Sequence, residues 1–268
     1  MRVEPTFASA GGARPLAGRH AVVTGAAQGI GAAIARALAA RGASLTLMGR
    51  RVDALHALAA QLPSGAAAVA VDVTDEAAVQ RGFDHARATH GPIALLINNA
   101  GQAESAPFGK TSLALWNRLI AVNLTGTFLC TQQALPDMLA ARHGRIVNIA
   151  STAGQRGYAY VSAYVAAKHG VVGLTRALAL EVAKKGITVN AVCPGYTETE
   201  ILSASIAKVM ATTGRSEVEA RAEFEKSNPQ RRIVQPGEVA QAVLWLCSDE
   251  AGAMTGQCVS VSGGEVML

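Results

Sequence analysis

Short apolar runs alternate with longer amphipathic stretches from residue 20 to residue 261, and the alternation predicts most of the secondary structure. Strand-length runs fall at His20–Thr24, Ser44–Met48, Ala67–Val71, Ile93–Ile97, Arg145–Ala150, Ile187–Val192 and Gln257–Val261. Ile93–Ile97 is continuously apolar, the pattern of a strand covered on both faces. Between the runs lie predicted helices. The first spans Ala32–Arg41 and ends at Gly42; the second spans Val52–Gln61 and is stopped by Pro63. A third begins at an N-cap on Thr74, has Asp75 and Glu76 in its first turn, and runs to about His90 before Gly91-Pro92. A long stretch covers Ser112–Ala141 with Pro136 as a candidate kink, another runs from before Tyr164 to Lys185 with Gly186 as its cap, and a last covers Gly237–Ser248. Strands alternating with helices of this length imply βαβ units and a mainly parallel α/β sheet. No internal repeat and no linker divides the pattern, so residues 18–268 read as one domain.

Composition narrows the class. Half of the 268 residues are hydrophobic and 16% are charged, so a large core can be buried. No apolar run approaches the roughly 18 residues of a membrane span. The opening MRVEPTFASAGGARPLAG lacks the apolar centre of a secretory signal, and its Gly, Pro, Ala and Ser predict a disordered arm over residues 1–17. Cys130, Cys193, Cys247 and Cys258 have no metal-ligand spacing, so no metal is expected; free thiols and a cytoplasmic location follow. The net charge of +5 comes from scattered lysines and arginines, without the basic runs of a nucleic-acid binder. A modest positive field does suit a phosphate-bearing ligand.

Two local patterns carry chemistry. Thr24-Gly25-Ala26-Ala27-Gln28-Gly29-Ile30-Gly31 joins a strand to a helix, where a phosphate loop belongs. Gly25 permits the tight turn, Gly29 lets backbone approach a pyrophosphate, and Gly31 allows helix to pack on sheet. The helix N-terminus then offers free N–H groups to the anion. In the second pattern, Tyr164 and Lys168 are four residues apart and share one helix face. An ammonium beside a phenol favours phenolate. That lowers the tyrosine toward neutral pH and makes it a proton donor to a carbonyl oxygen or an acceptor from an alcohol.

With these patterns in place, residues 18–264 resemble the short-chain dehydrogenase/reductase family. The resemblance rests on T-G-x-x-x-G-x-G at Thr24–Gly31, N-N-A-G at Asn98–Gly101, Asn123, Ser151, Y-x-x-x-K at Tyr164–Lys168 and P-G at Pro194-Gly195. It implies a single-domain Rossmann fold, a doubly wound seven-stranded parallel sheet with helices on both faces. It implies that Tyr164 exchanges the proton, Ser151 holds the substrate oxygen, Lys168 binds the nicotinamide ribose and lowers the tyrosine pKa, and Asn123 anchors a water. It further implies that Gly25, Gln28, Gly29, Ile30 and Gly31 bind the cofactor phosphates. Asp72 and Val73 would meet the adenine, Asn99, Ala100 and Gly101 the adenosine ribose, and Pro194, Gly195 and Thr197 the carboxamide. The segment 197–236 becomes a substrate lid.

The cofactor reading comes from the end of the second strand. An NAD-preferring site places an acid there, about 20 residues after the glycine loop. Here that position is Gly49, followed by Arg50 and Arg51, and Asp53 comes too late. Arg50 offers a planar fork to a 2′-phosphate, so NADP(H) is preferred and NAD(H) stays open. Gln155, Arg156, Tyr158, Tyr160 and Tyr196 are expected to line the substrate pocket. The substrate is expected to be a small carbonyl compound or alcohol, with a 3-oxoacyl thioester favoured by likeness to 3-oxoacyl reductases and polyketide ketoreductases. Another alcohol, or a cofactor-binding protein without turnover, are the alternatives. The lid carries six lysines and arginines interleaved with glutamates, which reads either as a phosphate-binding face or as a solvated helix with internal pairs. Val171–Ala183 is apolar nearly all round, as a helix buried on two sides is. A second subunit, and by resemblance a homotetramer, is the expected partner.

Overall fold

The computed structural model describes residues 15–63 and 65–267. Seven strands form one sheet: β1 His20–Thr24, β2 Ser44–Gly49, β3 Ala66–Ala70, β4 Ile93–Asn98, β5 Gly144–Ile149, β6 Ile187–Pro194 and β7 Cys258–Val261. Their order is β3-β2-β1-β4-β5-β6-β7, and every pairing is parallel. The chain winds outward from β1 to β3, returns to β4 beside β1, and winds the other way. At that reversal the connections leave in opposite directions and open a crevice at the carboxyl ends of the strands.

Nine helices are described: α1 Gly29–Ala40, α2 Val52–Ala59, α3 Glu76–His90, α4 Leu113–Ile120, α5 Gly126–Ala141, α6 Ser162–Val182, α7 Glu200–Thr213, α8 Glu217–Glu225 and α9 Pro236–Leu246. Successive strand residues point to opposite faces, so continuous apolar runs feed two cores at once. Val23, Leu45, Leu95 and Ile97 meet Ile34 and Leu38 of α1, Leu55 of α2 and Val243 of α9. Val22, Leu96, Ile146 and Val189 meet Phe83 of α3, Met138 of α5 and Ala179 of α6. Leu16 is buried in the first core and its N–H bonds Arg41 O, so ordered packing reaches back into the arm expected over 1–17; residues 1–14 lie outside the described ones.

Two boundaries differ from the sequence reading, each for a local reason. Thr74 does not cap α3. Its N–H and hydroxyl both bond Asp72 Oδ1, at 3.0 and 2.8 Å, which commits it to the preceding turn, and Asp75 caps instead by accepting from Ala78 N at 3.0 Å. The stretch 112–141 begins as expected, with Ser112 Oγ accepting from Leu115 N at 3.1 Å, but a π-helical turn at Ala121–Thr125 separates α4 from α5. Pro136 sits inside α5 without ending it. By length and composition alone the run Leu113–Ala141 is long and apolar enough to cross a membrane, as core helices also can be; here Leu119, Asn123, Cys130 and Ala134 are buried.

A polar network runs through the second core. Asn98 Nδ2 donates to Thr131 Oγ1 at 2.9 Å and to Asn148 Oδ1 at 2.8 Å, and Asn148 Nδ2 donates to Thr175 Oγ1 at 2.9 Å. All four residues are buried. They tie β4 and β5 to α5 and α6 directly beneath the crevice.

Residues 197–236, the segment expected as a lid, carry α7 and α8 and contribute residues to the cleft lining. Leu202, Ile206, Ala220 and Ile233 make a small separate core between α7, α8 and the chain after them. Their charges are mostly paired: Arg221 with Glu198 and Glu225, Arg215 and Lys226 with Glu223, Arg232 with Glu238. Of the two sequence readings of the lid, this is the solvated one with internal pairs.

Candidate active site

The crevice opens into a cleft of about 1250 Å³. One end is shaped by glycines. Gly25 and Gly29 have φ of 62° and 52°, the left-handed region that disfavours a side chain. A Cβ on Gly25 would lie 2.8 Å from Ala100 Cα, and one on Gly31 2.3 Å from Gly25 O and 2.5 Å from Asn99 Nδ2. Gly31 therefore does not line the cleft; it lets α1 close on the loop. Asn99 fixes the loop, its amide donating to Thr24 O and Gly25 O at 3.0 Å. Thr24 Oγ1 in turn accepts from Asn99 N and Ala100 N at 3.0 Å. Gln28, Gly29, Ile30, Arg50, Arg51, Asp72, Val73, Ala100 and Gly101 line this end. The Asp72 carboxyl is held below its ordinary value by the Thr74 N–H, with the Arg50 charge adding to it.

At the centre the structure brings together all four residues of the predicted catalytic set. Ser151 follows β5, Tyr164 and Lys168 stand one turn apart on α6, and Asn123 sits in the π turn before α5. Ser151 Oγ accepts from Ala153 N at 3.1 Å and is near enough to the Tyr164 phenol to pull its pKa down. Lys168 is buried, donates to Ile149 O at 2.8 Å and lies 5.6 Å from the Tyr164 ring centroid. Asn123 donates to Gln102 O and Leu119 O at 2.9 Å and accepts from Gln102 N at 3.2 Å. Gly101 separates the two groups: a Cβ there would lie 2.9 Å from Asn123 Oδ1 and 3.6 Å from Lys168 Nζ. A π turn is a common device at functional sites, and here it delivers the Asn123 amide to the Gln102 backbone.

The electrostatics correct one expectation. Tyr164 is not lowered in the protein alone; burial pushes it up to about 12, against the Ser151 hydrogen bond that pulls it down. Burial also drives Lys168 down to about 8. Desolvation penalises both charged forms, and at more than 5 Å from the ring the lysine does not reverse it. The pair is thus set to hold its protons on the phenol and, below pH of about 8, on the amine.

At the other end Pro194, Gly195 and Thr197 line the cleft, with Thr197 Oγ1 donating to Gly195 O at 2.9 Å. Tyr158, Tyr160 and Tyr196 line it as well. Gln155 and Arg156 do not. Gln155 turns to β7, donating to Cys258 O at 3.4 Å and accepting from Ser260 Oγ at 2.9 Å, and Arg156 lies exposed over the Tyr158 ring at 4.6 Å. Several lining groups carry no sequence signal: Gln102, Glu104, Ser105, Lys110 and Arg118 on one rim, and Ile201 and Leu202 from the lid, where Lys208, one of the six cations noted in the sequence, also lines the cleft. Glu265, near the end of the chain, reaches Tyr158. Cys193, beneath Ser151, packs near Cys258 because β6 and β7 pair, and this neighbour and burial push its thiol up.

The family model described as short chain dehydrogenase matches residues 19–209. The chain belongs to the short-chain dehydrogenase family. It is accordingly an oxidoreductase of a family that binds NAD or NADP and acts on CH–OH and ketone groups. Among its curated relatives, the cis-4-hydroxycyclohexanecarboxylate dehydrogenase of Sinomonas cyclohexanicum is 43% identical, over 92% of this chain and 96% of that protein. The acetoacetyl-CoA reductase of Shinella zoogloeoides is 41% identical, over 93% and 99%. A crystal structure of an actinorhodin polyketide ketoreductase variant with NADPH superposes with a TM-score of 0.89 at 38% identity, covering 92% of this chain and 97% of that one. In this short-chain dehydrogenase a nicotinamide dinucleotide fits the cleft: the glycine cradle that a Cβ would fill lies at one end and the Ser151–Tyr164–Lys168 cluster at its centre.

Proposed function

We propose that this short-chain dehydrogenase is an NADP(H)-dependent ketoreductase of 3-oxoacyl thioesters or related ketones. Gln28, Gly29 and Ile30 would hold the dinucleotide's pyrophosphate, Asp72 and Val73 would flank its adenine, and Pro194, Gly195 and Thr197 would hold its nicotinamide end, where the bound group would supply hydride. Ser151 orients the ketone oxygen by a hydrogen bond. Tyr164 donates its proton to that oxygen as charge develops there. Lys168 stabilises the resulting phenolate, and Asn123 holds Gln102 against the lysine's side of the cleft. The relative named acetoacetyl-CoA reductase supports the acyl thioester, as do Lys110 and Lys208 at the cleft rim, which suit a carrier's phosphates. The relative named for a hydroxycyclohexanecarboxylate favours a second reading, a dehydrogenase of a cyclic alcohol.

One observation carries the cofactor half of the reading. β2 ends at Gly49 without a carboxylate, and Arg50 and Arg51 follow on the cleft wall. A charged hydrogen bond from Arg50 to a 2′-phosphate is worth about 1.5–3 kcal/mol, roughly a ten- to hundredfold preference for NADPH. Steady-state kinetics on a 3-oxoacyl thioester with each cofactor test it. Arg50→Ala is expected to erase most of the preference through KM for NADPH, with little change for NADH; a wild-type enzyme favouring NADH would overturn the assignment.

A homotetramer belongs to the same reading. Leu180 on α6 is 83% exposed and Leu113 at the start of α4 is 72% exposed, while Phe128 and Trp245 are also open. Light scattering at micromolar concentration is expected to give a mass near four chains, and a stable monomer would refute it.

A further inference from the structure

The turn after β7 backs the substrate side of the cleft, where Glu265 meets the lining residue Tyr158. After β7, Gly263 and Gly264 take φ of 63° and 92°, and a Cβ on Gly263 would fall 2.0 Å from Asn228 Oδ1. This turn leans on the base of the lid and sends Glu265 back toward the sheet. Glu265 Oε1 accepts from Tyr158 OH at 2.7 Å, and Oε2 lies 2.9 Å from where a Gly195 Cβ would stand. Tyr158 OH is also 2.8 Å from Thr152 Oγ1, the residue after Ser151. A phenol has one proton and a carboxylate only accepts. Tyr158 therefore gives its proton to Glu265 and receives one from Thr152. It lines the cleft with no proton to offer a substrate.

The carboxylate stands behind Tyr158, which lines the cleft, and not among the lining residues itself. Among the described residues it has no ion-pair partner. Arg156, the cation beside it, lies over the Tyr158 ring and meets Glu265 only at its main-chain carbonyl, at 3.5 Å. The Tyr158 and Tyr196 phenols are raised first by burial, and at both the Glu265 charge pushes further up than Arg156 pulls down. Tyr158 packs edge-on to Tyr196 at 6.4 Å, and Tyr196 to Phe224 of the lid at 4.9 Å. The wall beside Ser151 is thus aromatic in front and negative behind.

We propose that Glu265 is a specificity-determining residue that turns the pocket against anionic substrates, admitting esters and thioesters of 3-oxo acids and disfavouring the free acids. The inference rests on the reading that a ketone oxygen sits between Ser151 and Tyr164. The test uses the full-length enzyme saturated with oxidised cofactor, in which ketones bind without turnover. Calorimetry compares 3-oxohexanoate with its methyl ester in wild type, Glu265→Gln and Tyr158→Phe. Wild type is expected to favour the ester. Glu265→Gln, which keeps an acceptor for Tyr158 but loses the charge, is expected to shift the acid-to-ester affinity ratio toward the acid by roughly five- to thirtyfold, the range for one charge acting across several ångströms of partly solvated protein. Tyr158→Phe keeps the charge and the wild-type ratio. An unchanged ratio in Glu265→Gln overturns the proposal, and so does an equal shift in both variants, which would trace selection to the hydrogen bond and its packing. Reduction of the ester with NADPH and NADH is read on the same preparations. No turnover there overturns the ketoreductase reading, while the binding ratio still decides the role of Glu265.

Discussion

Tyr164→Phe is expected to slow ketone reduction by roughly 10²–10⁴-fold, the loss typical of a positioned general acid. The ring stays and only the proton goes. Tyr164 is half-buried in the cleft wall, packed against Leu115, Leu119 and Ala163, with the Ser151 hydroxyl pulling on its phenol. Phenylalanine fills the same space, so cofactor affinity is expected to stay near wild type. The loss should appear in kcat and in kcat/KM alike, because the proton is needed as charge develops and not before. Stopped-flow reduction at saturating cofactor measures it directly. A variant retaining most of its turnover would remove Tyr164 from the chemistry.

The second large effect is expected from Lys168→Met, and it has two opposite signs. Rate should fall by roughly 10²–10³-fold, the scale for loss of one preorganised charge, and cofactor affinity should fall with it. Stability should move the other way. Burial depresses Lys168 from its ordinary value of 10.5 to about 8 in the folded protein. Below pH of about 8 the amine is charged in both states, and the folded state carries the full cost of burying it. Between that value and 10.5 the unfolded chain holds more protons than the folded one, so wild-type stability rises with pH across this window. Lys168→Met has no such rise and is expected to be the more stable protein at neutral pH, a trade of stability for function seen at strained active sites. Thermal melts at pH 7 and pH 10, beside the rate assay, read both signs. The reductive rate of wild type should also decline as pH passes about 8, because the stabilising charge is then lost. A melt that ignores the substitution, or a variant with wild-type rate, would show that Lys168 is neither buried charged nor used.

Much of this was legible in the chain because the deciding interactions are local. Gly25, Gly29 and Gly31 are needed by a turn eight residues long, and Tyr164 and Lys168 share a face by helical spacing alone. The strands announced themselves because a sheet covered on both faces tolerates only apolar runs. What was not legible depends on partners distant in sequence. Thr74 and Asp75 are equally good caps on paper, and the choice fell to Asp72, which captures Thr74 first. The π turn at Ala121–Thr125 has no breaker residue; its Asn123 is held by Gln102, twenty-one residues away. Gln155 follows Ser151 closely but is claimed by β7, across more than one hundred residues. The lid's arginines left two readings open, and the pairing was decided by partners such as Glu198 and Glu238 that the fold brings to them. The Tyr164 shift was misjudged because spacing gives proximity to a charge but not the depth of burial that opposes it.

The network of Asn98, Thr131, Asn148 and Thr175 has a consequence for how this protein can vary. Asn98 Nδ2, both polar atoms of the Asn148 amide and the two hydroxyls are bonded within it away from water, while Asn98 Oδ1 has no partner. Replacing any one member by an apolar residue orphans its neighbour, and a buried orphan costs more than the bond it loses, about 1–3 kcal/mol. Replacing the set together with apolar residues of matching shape leaves no orphan. These four positions are therefore an evolutionary unit: single steps away from them are closed, and two lineages that differ here should differ at several of the four at once.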